Sequence, residues 1–126
     1  MIDSDLAKIE VALRVRLPPD YRDFMTRASQ CVYGQYLRSG LVSHPDMVIE
    51  LTQLARERFA LNYDVRARAE MDKPWPHGFV VVAEFDAGDF LFVMTGEKSS
   101  GVWKFDHENT GFSLYRLFGV GEFDQP

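Results

Sequence analysis

Helical patterning in the first half and strand patterning in the second predict an α+β fold, and three observations carry that reading. Apolar residues at helical spacing fall before residue 62 of the 126. From Phe79 onward the apolar runs are short, rich in β-branched and aromatic residues, and separated by glycine-bearing turns. No repeat, linker or low-complexity tract interrupts the chain, so residues 1–126 are expected to form a single domain.

Taken in order, Ser4 or Asp3 is placed to cap a first helix by accepting a hydrogen bond from a free first-turn amide. Leu6, Ile9 and Leu13 follow at i, i+3, i+7, a single apolar stripe. Pro18 biases Leu17 toward extended geometry, so this helix should stop near Arg14. Pro18-Pro19-Asp20 then opens a second helix, where a proline loses no hydrogen bond and Asp20 faces the positive end of the dipole. Tyr21, Phe24, Met25 and Ala28 form its core-facing stripe. Cys31 to Leu37 reads as an edge strand. Met47 to Leu51 fits a strand or a helix start equally, because short apolar runs do not distinguish the two. Thr52 to Leu61 reads as helix, with Leu54, Ala55 and Phe59 apolar and Arg56, Glu57 and Arg58 solvated. The polar stretch 62–72 is compatible with one more short helix, and Lys73-Pro74-Trp75-Pro76 breaks whatever precedes it.

Phe79–Phe85, Phe90–Thr95 and Val102–Asp106 predict a three-stranded antiparallel meander. Asp86-Ala87-Gly88 supplies the first turn, with its last residue at positive φ, and Gly96 to Gly101 a looser second one. Strict alternation places Phe79, Val81, Ala83 and Phe85 on one face and Val80, Val82 and Glu84 on the other. Phe90, Phe92 and Met94 likewise oppose Leu91 and Val93. A sheet with one wet face should alternate apolar and polar residues, yet this one is apolar on both. Its second face therefore calls for cover, by helices and the folded-over C-terminal segment or else by a partner. After Asn109-Thr110-Gly111, Phe112 to Phe118 suits a strand or one helical turn.

The net charge of −5 is unevenly spread. Residues 1–28 carry five basic against five acidic side chains, and residues 29–74 six against six; residues 75–126 carry three against eight. An acidic half of this kind repels nucleic acid and speeds encounter with basic partners. The opening Met1-Ile2-Asp3-Ser4-Asp5 lacks the basic start of a secretory signal, and no apolar run approaches the roughly 20 residues that span a bilayer. With Cys31 the only cysteine, no internal disulfide can form, so a cytoplasmic location is expected and Cys31 reads as a structural thiol.

The chain lacks a G-x-S-x-G elbow, a phosphate-binding glycine loop, a dinucleotide fingerprint, C-x-x-C and H-E-x-x-H. Its nearest approach to a reactive cluster is Asp106-His107-Glu108, with Asp86 and Asp89 on the neighbouring turn. Such groups bind metals or exchange protons when they converge, but consecutive strand residues point to opposite faces. No catalytic residue, metal or cofactor is expected. His44 and His77 fall in loops, and Trp103 belongs to the core beside Phe105.

Three stretches resemble one family. Leu17-Pro18-Pro19-Asp20-Tyr21-Arg22-Asp23-Phe24, preceded by a short helix, is similar to the "RLP-x-x-Y-x-x-F" opening of the SUKH superfamily, immunity-type domains related to the yeast cell-wall-assembly regulator. Gly88-Asp89-Phe90-Leu91-Phe92 resembles its glycine-aspartate strand start, and Gly101-Val102-Trp103-Lys104-Phe105-Asp106-His107-Glu108 its strand ending in D-H-E. Two features depart from the pattern: Asp86-Ala87-Gly88 is less glycine-rich than the family turn, and many members continue past Phe118 into a closing helix. The resemblance implies N-terminal helices packed on a mostly antiparallel sheet. It also implies a cytoplasmic antidote that binds and blocks a cognate protein toxin, often a nuclease.

On that reading Glu84, Asp86, Asp89, Glu97, Asp106 and Glu108 are the candidate contacts for a basic toxin surface, with Tyr33 and Tyr36 as aromatic anchors. Strand alternation prevents all six acids from sharing one face, so the turn residues Asp86, Asp89 and Glu97 are favoured. An intracellular scaffold or regulator without a toxin partner is the alternative, and a small enzyme or metal-binding domain built on Asp106, His107 and Glu108 is the third reading.

Overall fold

The computed structural model describes residues 1–27, 36–37, 39–70, 78–85, 88–95, 101–108 and 111–118, with residues 59–70 described through their backbone. Three helices precede a four-stranded antiparallel sheet, the α+β arrangement predicted.

Helix α1 (Asp3–Leu13) buries Leu6, Ile9 and Leu13, the stripe read from the spacing. Neither Ser4 nor Asp3 caps it. Ile2 occupies the cap position, and Asp5 reaches back so that its Oδ2 accepts the Ile2 N–H at 3.2 Å. A carboxylate one turn inside the helix satisfies an amide that the apolar cap residue cannot. Arg14 ends the helix in the left-handed region, at φ 56°. Helix α2 (Pro19–Arg27) buries Tyr21, Phe24 and Met25. Ala28 and most of the expected strand 31–37, Cys31 and Tyr33 included, lie outside the described residues. Tyr36 pairs with Val42 as an isolated antiparallel bridge.

Helix α3 (Pro45–Glu70) is the main revision. Its 26 residues unite three segments that the sequence left separate, including the undecided 47–51 and the polar 62–70. Val48, Thr52 and Ala55 recur at i, i+4, i+7 and are buried. Neither proline nor glycine occurs from residue 46 to residue 72, and the polar stretch ends in Arg66-Ala67-Arg68-Ala69-Glu70, residues that favour helix.

Strands β1 (Val80–Glu84), β2 (Phe90–Val93), β3 (Val102–Asp106) and β4 (Gly111–Arg116) lie side by side in chain order. The meander is therefore one strand longer than predicted, because 111–116 is strand and not a helical turn. In β1, Val81 faces Phe92 and Ala83 faces Leu91, which leaves Val82 as an extra residue in a bulge. The bulge overturns the strict face assignment. Ala83 joins Val80 and Val82 in one core, while Phe85 is exposed.

Both sheet faces are covered. On the first, Val80, Val82, Leu91, Val93 and Val102 meet the stripes of α1 and α2 together with Leu41, Val42 and Val48. On the second, Phe79, Val81, Phe90, Phe92, Phe105 and Phe112 form an aromatic layer with Ala55 of α3, and Leu51 and Trp103 pack against it. Its rings meet edge-on or stacked; Phe90 and Phe105, cross-strand neighbours, stack at 5.0 Å between centroids. Trp103 thus lies at the core, as expected.

Helix α3 also closes the outer edge of β1. The Val81 N–H donates to Thr52 Oγ1 at 2.8 Å, the Val42 N–H to the Val82 carbonyl at 2.9 Å, and Arg56 Nη2 to the Phe79 carbonyl at 3.3 Å. Arg56 reaches the Leu13 carbonyl with its other terminal nitrogen, so α1, α3 and β1 are tied at one point. Among the described residues, no helix is long and apolar enough to cross a membrane.

Candidate protein-binding surface

Four acidic residues, Glu84, Asp89, Asp106 and Glu108, lie where two turns meet. The connection after β1 closes when the Phe85 N–H donates to the Asp89 carbonyl at 2.9 Å, and Gly88 within it adopts φ 95°, as expected for a glycine ending that turn. Glu84 stands opposite Phe90 in the ladder, which puts its exposed carboxylate at the same end of the sheet as Asp89. Asp106 ends β3 at that end, and exposed His107 and Glu108 turn away from it.

The turn brings together side chains that strand alternation would separate. Asp89 Oδ1 accepts the His107 backbone N–H at 2.9 Å and lies 2.6 Å from the ring nitrogen Nδ1. Asp106 Oδ1 accepts the Glu108 N–H at 2.9 Å. Asp89, Asp106 and His107 each offer one ligand-type atom, all within 4.8 Å of one another. The expected divergence of Asp106 and His107 is thus corrected: β3 stops at Asp106, and His107 is no longer bound by pleat geometry. Hydrogen bonds from His107, the backbone one first, hold the Asp89 carboxyl below its usual range. The same pairing raises the His107 imidazole above its ordinary 6.5. With Oδ1 of both aspartates already accepting turn hydrogen bonds, Asp89 and His107 act as a clasp between the two turns.

Of the predicted contacts, Glu84 and Glu108 are exposed and Asp89 and Asp106 half-buried, all four at this end of the sheet. Tyr36 is half-buried and packs against the first core. Tyr33, Asp86 and Glu97 lie outside the described residues. Sequence reasoning missed His107 as the partner of Asp89 and Arg58 as a neighbour of the turn. The Arg58 guanidinium lies over the Phe90 ring at 5.8 Å, and its Nη1 is 3.8 Å from where a Cβ on Gly88 would stand. A solvated-face pattern on α3 was the available signal, and it does not say which strand the face overlooks.

The opening segment behaves differently. Leu17, Tyr21 and Phe24, the apolar positions of the "RLP-x-x-Y-x-x-F" stretch, are all buried. Over residues 3–119 the chain matches the model of the SMI1 / KNR4 family (SUKH-1). The chain belongs to that family. Searches of curated proteins and of solved structures returned no significant match.

In this SUKH-1 chain the opening segment does architectural work. Glu10 accepts the Leu17 N–H at 2.8 Å through Oε2 and Arg22 Nη1 at 2.6 Å through Oε1, which locks α1 to α2. Asp20 accepts the Tyr21 N–H at 2.8 Å and, with its other oxygen, the Gly101 N–H at 2.6 Å. That second bond ties α2 to the start of β3, 81 residues away in the chain. SUKH-1 membership points to a protein partner, and the outward acids of the turns are the chemistry on offer to it.

Proposed function

We propose that this SUKH-1 chain is a cytoplasmic immunity protein that binds a cognate protein toxin and covers its active site, without catalysing a reaction itself. The observation that carries the reading is the gathering of Glu84, Asp89, Asp106 and Glu108 at one end of the sheet in a family known in immunity proteins. Acidic side chains on turns suit a basic toxin surface, because opposite potentials raise the encounter rate and fix orientation. Nuclease toxins, which must hold polyanions, present such surfaces, so a nuclease is the favoured class of target.

Co-expression tests it. The product of the neighbouring toxin gene is expressed with and without this chain, and the two are co-purified. Restored growth and a stable complex are expected. Unchanged killing with no complex would sink the immunity reading and leave a scaffold or regulatory role.

A further inference from the structure

A cleft of about 480 Å³ opens between α3 and the end of β1, beside the acidic turns. Its apolar lining comes from both elements: Val81 and Phe90 from the sheet, Leu51, Leu54 and Ala55 from the helix. Leu54 is 56% exposed, a large apolar side chain that the fold leaves in water. Glu57 and Glu84, both exposed, carry the negative charge of the lining. Arg58 is the one cation among the described lining residues, and it leads from the cleft to Gly88. The cleft therefore runs into the turn that holds Asp89.

We infer that this cleft receives an apolar side chain from a protein segment whose flanking residues are lysine or arginine. An apolar slot gains from burying an aliphatic or aromatic tip, and a fully desolvated anchor of this kind dominates the energy of many interfaces. Two carboxylates in the lining outweigh Arg58 and continue into Asp89, Asp106 and Glu108, so the rim stays net negative and complements cations that flank that tip. A small polar metabolite fits less well, because the cleft is open and most of its lining residues are apolar. The inference rests on the immunity reading for the identity of its partner, and on the cleft alone for the chemistry recognised.

A displayed library of random twelve-residue peptides, selected against the full chain, supplies a probe that needs no toxin. Enriched peptides are expected to carry an aliphatic or aromatic residue between lysines or arginines. Leu54→Lys should weaken the selected peptide roughly tenfold and Glu84→Gln roughly threefold, while Val11→Lys on α1 leaves it unchanged. Leu54 and Glu84 are exposed, so both variants are expected to keep the wild-type circular dichroism spectrum and melting temperature. Failure to enrich such peptides, or enrichment of peptides that bind Leu54→Lys as tightly as wild type, overturns the inference. In the co-expression assay the two ideas separate. If wild type fails to rescue but the peptides map to the cleft, the immunity reading falls alone. If Leu54→Lys rescues as well as wild type, the cleft falls alone.

Discussion

Two groups of carboxylates in this molecule look alike in the sequence and do opposite work. Glu10 and Asp20, at the entry of the helices, use both oxygens and join separate elements: Glu10 ties α1 to α2, and Asp20 ties α2 to the start of β3. At the end of the sheet, Glu84 and Glu108 stand exposed, Asp106 bonds within its own turn, and Asp89 alone reaches across, to His107 at the neighbouring turn. The first group holds the fold. The second is a surface. Charge balance alone points the same way, since residues 1–28 are neutral in sum while residues 75–126 hold the whole excess. What balance cannot reveal is that Glu10 and Asp20 accept two hydrogen bonds each, including the part-buried Leu17 and Gly101 amides, which makes them costly to remove.

The sharpest way to break this contrast lies at Gly101, where the Asp20 link meets the sheet. Gly101 sits at φ 81°, and a Cβ there would approach the Arg116 carbonyl oxygen to 2.5 Å. Gly101→Ala should cost about 3 kcal/mol in urea unfolding, from backbone strain and the clash together. Next comes Glu10→Ala, expected to cost about 2 kcal/mol because the Leu17 amide and Arg22 both lose a charged acceptor. A loss below about 0.5 kcal/mol would put Glu10 with the surface acids and collapse the distinction.

The Asp89–His107 clasp gives a smaller, pH-dependent effect. His107 titrates above its ordinary 6.5 in the folded chain, so its contribution is complete below 6.5 and fades as pH rises through the raised value. Asp89 titrates below its ordinary 3.8, so its contribution is present above 3.8 and lost as pH falls through the lowered value. The clasp is therefore strongest between those limits. An NMR titration of the His107 ring should give a midpoint above 6.5 that moves back toward it in Asp89→Asn; a midpoint at or under 6.5 in the wild type would contradict the pairing. Smallest of all, Glu84→Gln with Glu108→Gln should change stability by no more than about 0.5 kcal/mol, while weakening capture of a basic partner in a binding titration. A large stability loss there would show that the turn acids are architectural after all.

The helical stripes were legible because burial repeats at helical spacing: Leu6, Ile9, Leu13, Tyr21, Phe24 and Met25 are all in the core. Strand existence was legible too, from β-branched and aromatic runs ending at glycine. Three features were not. The unity of α3 was hidden because residues 62–70 carry no apolar stripe, and a helix is ended by specific breakers, not by polarity. The bulge at Val82 shows only in the register with β2, and the Val82 carbonyl accepts from the Val42 N–H outside the strand, so local pattern could not place it. At the candidate site, the spacing of Asp106, His107 and Glu108 was visible but not the point where the strand stops, and that point decides whether His107 reaches Asp89. The acidic surplus itself needed no geometry.

Thr52, Val42 and Arg56 together satisfy the outer rim of β1, and this has a consequence for assembly. Edge-to-edge polymerisation of sheets requires two open rims per molecule. With β1 sealed, β4 is the one open rim among the described strands, and two chains pairing there would exhaust each other. A closed pair is then the largest object such pairing can build. A sheet that cannot propagate keeps the chain dispersed even when it is concentrated.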